Sequence, residues 1–251
     1  MTPSKKDFFK PIANGKKALA VLIDPDQSNE SVSNIVQLCN EFQVDYIFVG
    51  GSLITSGVLA ETLQIIKQSF NGPVYLFPGN EFMVDEQADG ILFLSLLSGR
   101  NPEYLIGKQV VSAPGLSVSN LEIVSTAYLL IDGGRETSVS YISNTKPIPS
   151  DKPDIAVATA LAGKFMGMRC IYLDAGSGAM NHVPGKTINA VKKSTKIPLI
   201  VGGGIRNGKT ALELFKSGAD ILVIGNGVEN NIELIESIVE VRNSIGQTVE
   251  I

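Results

Sequence analysis

Histidine is almost absent from this chain: His182 is the only one in 251 residues. A single imidazole excludes most His-cluster metal sites and leaves acid–base work to carboxylates. Cysteine is nearly as scarce. Cys39 and Cys170 cannot build a zinc ribbon, and such low cysteine usage points to a reducing compartment. Charge is thin at 18%, and 21 basic against 25 acidic residues leave a net charge of −4, which argues against nucleic acid as a partner. Long apolar runs are missing too. The first, Ala18–Ile23, stops at Asp24, too short for a signal-peptide core and without a small-residue cleavage pattern. These absences describe a soluble, cytoplasmic protein with no membrane insertion.

What the chain does have is apolar content, at 44%, and 25 glycines. That excludes a disordered chain. Its length suits a single α/β barrel domain over 1–251, able to bury roughly three quarters of its unfolded surface without disulfides or metal. Eight short, nearly continuous apolar runs read as strands buried on both faces: 18–23, 46–49, 74–77, 91–94, 128–131, 170–173, 198–201 and 221–224. Helical periodicity lies between most of them. Val32, Ile35, Val36 and Cys39 share one face, as do Leu59, Leu63 and Ile66, then Ala211, Leu214 and Phe215. The final stretch repeats it through Ile232, Ile235, Ile238 and Val239. The pattern predicts a (β/α)8 TIM barrel, with an open doubly wound sheet as the competing architecture. Residues 79–90 are short, acidic and poorly periodic, so an irregular segment is expected in place of the third outer helix.

Glycines cluster after the last three strands, as GSG at 176–178, GGG at 202–204 and GNG at 225–227. On a barrel these fall on neighbouring loops of one face, where backbone N–H groups commonly grip phosphate; ordinary tight turns are the plainer explanation. Residues 203–210 match G-x-x-x-x-G-K-[ST] letter for letter. No apolar strand ending in Asp follows to complete a nucleotide site, so Lys209 and Thr210 are placed in the first turn of an outer helix. Asp24 ends the first strand, where one carboxylate with phosphate oxygens and water can hold Mg²⁺. Ser52 can add an oxygen ligand or cap the following helix. Asp26, with Ser28, reads as a helix cap. Asp174, after Tyr172 and Leu173, is placed to take a proton from a phosphorylated alcohol, or else to brace its own loop. His182 reads as structural or exposed, since no G-x-S-x-G turn supports a hydrolase pair with Ser177.

The segments LIDPD at 22–26, FVGGS at 48–52, LSLLSGRNPEYLIG at 94–107, YLDAGSGA at 172–179, VGGGIRNG at 201–208 and IGNG at 224–227 resemble the geranylgeranylglyceryl phosphate synthase family. That family includes the bacterial heptaprenylglyceryl phosphate synthases. GGGIR and IGNG recur in many phosphate-binding barrels; LIDPD with YLDAGSGA and SGRNP is far more specific, and AGSG marks one branch. The resemblance implies a prenyltransferase that joins a long-chain prenyl diphosphate, geranylgeranyl diphosphate first among them, to the 3-hydroxyl of sn-glycerol 1-phosphate. It would make Asp24 and Ser52 the Mg²⁺ ligands. Tyr172, Leu173, Asp174, Ala175, Gly176, Ser177, Gly178, Gly203, Gly204, Gly225 and Asn226 would hold glycerol phosphate, with Asp174 as catalytic base. The family commonly carries Glu where this chain has Asp174, one methylene shorter. Arg100 reads either as a diphosphate contact or as a surface ion-pair partner. The resemblance further implies a homo-oligomer, an apolar groove near residues 79–90, and at most peripheral membrane contact for product release. Another phosphosugar-type barrel enzyme, or a phospholigand-binding barrel without catalysis, are the alternative functions.

Overall fold

A computed structural model describes residues 7–225, 228 and 231–246. Eight parallel strands close on themselves in chain order: β1 (Ala18–Ile23), β2 (Tyr46–Gly50), β3 (Val74–Phe77), β4 (Gly90–Leu96), β5 (Glu122–Leu130), β6 (Cys170–Asp174), β7 (Leu199–Gly202) and β8 (Ile221–Ile224). Register runs unbroken around the ring, from Ala20 opposite Tyr46 to Ala18 opposite Ile221. Closure of the ring decides against the open sheet.

The barrel interior is asymmetric for a reason visible in its side chains. Ala18 and Ala20 of β1 point inward and leave room for Tyr46 and Phe48 on β2 and Tyr75 on β3. Phe8 fills the lower end, fully buried. Its N–H donates to Glu122 Oε2 (2.9 Å), its carbonyl accepts from Tyr46 Oη, and Tyr75 Oη donates to the same Glu122 oxygen (2.7 Å). Leu19, Val21 and Ile23 point outward, as the period of two demands, into the layer beneath the helices.

The outer elements are α1 (Asn29–Glu41), α2 (Leu59–Ser69), α3 (Lys108–Val118), α4 (Ser138–Ser143), α5 (Pro153–Phe165), α6 (Gly185–Thr195), α7 (Gly208–Ser217) and α8 (Ile232–Gly246). Val32, Ile35, Val36 and Cys39 are buried on α1, and Ala211, Leu214 and Phe215 on α7. Ile232 departs from the expected stripe. It is half exposed, at the first residue of α8, while Ile235, Ile238 and Val239 are buried. Among the described residues no helix separates β3 from β4; turns cover 78–89 instead. Asp89 fastens that connection, accepting from Val74 N–H and from Lys67 Nζ, both at 2.8 Å. β5 starts six residues before the apolar run that signals it. Its first half carries Glu122, Ser125 and Thr126, too polar to read as a doubly buried strand. Ile131, beyond its end, forms only an isolated bridge to Ile148. No helix among the described residues is long and apolar enough to cross a membrane.

Candidate active site

The carboxyl ends of the strands surround a cavity of about 700 Å³. Asp24 reaches it from the β1 end, Ser52 from the loop after β2, and Tyr172 with Asp174 from β6. Gly176, Ser177, Gly178, Gly203, Gly204 and Gly225 complete the glycine-rich side. Of the residues expected to hold phosphate, Leu173 and Ala175 are buried in the layer under the helices, so they contribute backbone at most. Asn226 and Gly227 lie outside the described residues. Arg206 also lines this mouth, with one guanidinium N–H donating to Ala179 O (2.9 Å). In the sequence it lies hidden inside the P-loop look-alike at 203–210.

The glycine loops are glycine because they press on one another. At Gly203, φ is +82°, and a Cβ would lie 2.7 Å from Gly176 N and 2.9 Å from Asp174 Oδ1. No L side chain fits such a contact, so the β6 and β7 loops could not close around a small anion with any other residue there. Lys209 and Thr210 sit in the first turn of α7, where the Asn207 side chain caps by accepting from Thr210 N–H (2.8 Å). The P-loop likeness is thus a helix start.

Asp174 is buried and held at both oxygens: Oδ2 accepts from Tyr128 Oη (2.5 Å), Oδ1 from Gly176 N–H (2.8 Å). Burial raises its pKa from the ordinary carboxylate value, and the two donors pull it partly back. Burial and the adjacent Asp174 charge push the Tyr128 phenol far up, so it remains a donor. Tyr128 is the functional candidate that sequence reading missed. It was visible only as a strand residue; its approach to Asp174 follows from β5 pairing with β6, which sets Tyr128 beside Tyr172.

Asp24 is half-buried, which raises its pKa; the Asp26 N–H donates to its Oδ1 (3.0 Å) and moderates the rise. Ser52 does not cap α2, whose N-cap is Val58 with no side-chain bond. Nor does Asp26 cap α1: Ser28 does, accepting from Ser31 N–H. No group of three or more His, Cys, Asp or Glu among the described residues could cage a metal. One carboxylate and one hydroxyl lining a roomy, partly polar cavity do fit Mg²⁺, which keeps most of its shell as water and phosphate oxygen.

A second, apolar groove leaves the mouth where the third helix is missing. Phe77, Val84, Phe93, Leu94, Tyr104 and Ile142 line it. Gly51, Ser52, Phe77 and Tyr128 belong to both spaces, so the groove opens onto the polar mouth beside Asp174's partner. Rings of Phe77, Tyr128 and Tyr172 pack at centroid distances of 5.3 to 6.0 Å and floor the junction. In the SGRNP segment, Asn101 Nδ2 donates to Ser143 O (3.0 Å) and ties this wall to α4. Arg100 is exposed, in a left-handed conformation (φ 53°), and lines neither space. His182 lines a separate outer cavity, its Nδ1 2.9 Å from Val183 O.

A model of the PcrB family matches residues 14–242. The chain is 47% identical over 237 residues to the geranylgeranylglyceryl phosphate synthase of Spirosoma linguale, covering 94% of this chain and 95% of that one. It is 49% identical to the Chitinophaga pinensis protein of the same name, over 93% of each. The crystal structure of (S)-3-O-geranylgeranylglyceryl phosphate synthase from Thermoplasma acidophilum, in complex with sn-glycerol-1-phosphate, superposes with a TM-score of 0.88. The two are 35% identical, with 94% of this chain and 96% of that one covered.

Proposed function

The chain belongs to the PcrB family, and from that membership and the site's geometry we propose that it is a prenyltransferase acting on sn-glycerol 1-phosphate. The donor in this reading is a long-chain prenyl diphosphate, geranylgeranyl diphosphate first. The observation that carries it is the junction: a glycine-rich mouth suited to phosphate meets an apolar groove suited to a hydrocarbon chain, beside a buried carboxylate.

Glycerol phosphate is placed with its phosphate on the loops at 176–178 and 203–204 and on Gly225, and its 3-hydroxyl toward Asp174. The prenyl tail lies in the groove, and its first carbon lies at Phe77 and Tyr128. As the hydroxyl oxygen bonds to that carbon, its proton passes to Asp174. The bond from carbon to diphosphate breaks, and diphosphate departs with the electron pair. The aromatic floor excludes water from the allylic carbon while charge develops there. Asp24 and Ser52 are the residues that would hold Mg²⁺; bound there, it supplies neutralisation of the charge on the leaving diphosphate. Asp174 is one methylene shorter than glutamate, and its Oδ1 lies only 2.9 Å from where a Cβ on Gly203 would stand. A homo-oligomer working in the cytoplasm completes this reading.

Incubation of the protein with Mg²⁺, radiolabelled sn-glycerol 1-phosphate and geranylgeranyl diphosphate is expected to yield an organic-extractable ether. No product with prenyl donors of any length would overturn the proposal.

A further inference from the structure

Asp24 and Ser52 come from different loops, and no covalent connection fixes their spacing. A carboxylate outside the mouth bridges the two loops. Asp26 accepts from Thr55 N–H (2.9 Å) and Thr55 Oγ1 (2.7 Å) at Oδ2, and from Ser56 N–H (3.0 Å) and Gly57 N–H (2.6 Å) at Oδ1. Three backbone donors and a hydroxyl on one carboxylate make a strong, charge-assisted clamp on the loop that carries Ser52. The other end of the same residue acts on the metal-side carboxylate, through the Asp26 N–H to Asp24 Oδ1. The loop is tight on both sides. A Cβ on Gly57 would lie 1.9 Å from Pro25 O, and one on Gly79 2.2 Å from Gly51 O. Asp24 Oδ2 lies 3.4 Å from where a Gly51 Cβ would stand, so the two loops meet at the donor oxygen itself. α1 does not need Asp26, because Ser28 caps it.

The geometry points to Asp26 as a positioning residue that sets the spacing of Asp24 and Ser52, and hence the divalent-cation affinity of the mouth, while touching neither cation nor substrate. The inference rests on the cation reading given above. Outer partners that orient a metal ligand typically govern 10–100-fold in affinity. Asp26→Asn is therefore expected to raise the Mg²⁺ concentration for half-maximal turnover about tenfold or more. The KM for glycerol phosphate, held by the β6–β8 loops, should stay nearly constant. Mn²⁺ binding followed by electron paramagnetic resonance, with inorganic diphosphate present, should weaken in parallel, and the amides of 55–57 should exchange faster. Thr55→Val removes one donor but keeps the Asp26 charge. Its expected shift, smaller and in the same direction, separates geometry from electrostatics. If Mn²⁺ binding is lost in Asp24→Asn but unchanged in Asp26→Asn, the inference alone fails. If Asp24→Asn binds Mn²⁺ as the parent does, the cation reading fails and the inference with it. A rise in both constants alongside a lowered Tm would make Asp26 merely structural.

Discussion

Asp174 shows how one side chain's chemistry is set by its neighbours. In the proposed role of base its carboxyl must be ionised to accept a proton, so turnover is expected to rise with pH as Asp174 titrates. Burial moves that titration above the ordinary carboxylate range, and the Tyr128 hydroxyl pulls it back. Removing the hydroxyl in Tyr128→Phe leaves burial less opposed. The acidic limb of the kcat/KM profile is then expected to move to higher pH; an unmoved limb would detach Tyr128 from the titrating base. Asp174→Asn is expected to lower kcat on the order of 10²–10⁴-fold with a modest change in KM, as loss of a general base does. The sequence shows Asp174 at a strand end. It does not show Tyr128, because 46 residues separate the two and only the β5–β6 register joins them.

At the scale of elements, the missing third helix does more than shorten the chain. A helix over β3 and β4 would cover Ile91 and Phe93; turns at 78–89 leave the groove that these residues share with α3 and α4. Lys108 and Glu81 span it with an ion pair at 3.0 Å, which joins the start of α3 to the irregular segment. Ser112, one turn along α3, faces the groove. Ser112→Trp should fill it from the side. Turnover with geranylgeranyl diphosphate is expected to fall about tenfold or more, while geranyl diphosphate is used as before. Equal loss with both donors would place the hydrocarbon elsewhere. The poor periodicity of 79–90 made the absent helix legible. The resemblance implied an apolar groove there, but not which residues build its far wall: those come from α3 and α4, distant in sequence and united only by the fold.

For the molecule as a whole, the two ends of the barrel have separate duties. The carboxyl end is loops and glycine; the amino end is sealed by Phe8, Tyr46, Tyr75 and Glu122. Arg169 adds an ion pair to Glu122 (3.2 Å) and stacks over Phe9, with its guanidinium carbon 4.8 Å from the ring centroid. Phe8→Ala empties a fully buried site and is expected to cost about 3–5 kcal/mol in urea unfolding. The KM values for both substrates should hold, because the change lies at the opposite end from the mouth. A loss of substrate affinity without loss of stability would contradict this division.

The sequence alone determined eight parallel strands, since doubly buried strands leave a nearly continuous apolar trace and most of their ends carry glycine or aspartate; closure of the ring, against an open sheet, was decided by the structure. It determined the glycine loops for the same local reason: backbone crowding selects glycine residue by residue. Tertiary structure alone decided which groups meet. Tyr128 on Asp174, Asp26 on the loop of Ser52, and the opening of an apolar groove into a polar mouth all depend on ring closure and strand register. Those bring together residues whose spacing along the chain carries no trace of their distance in space.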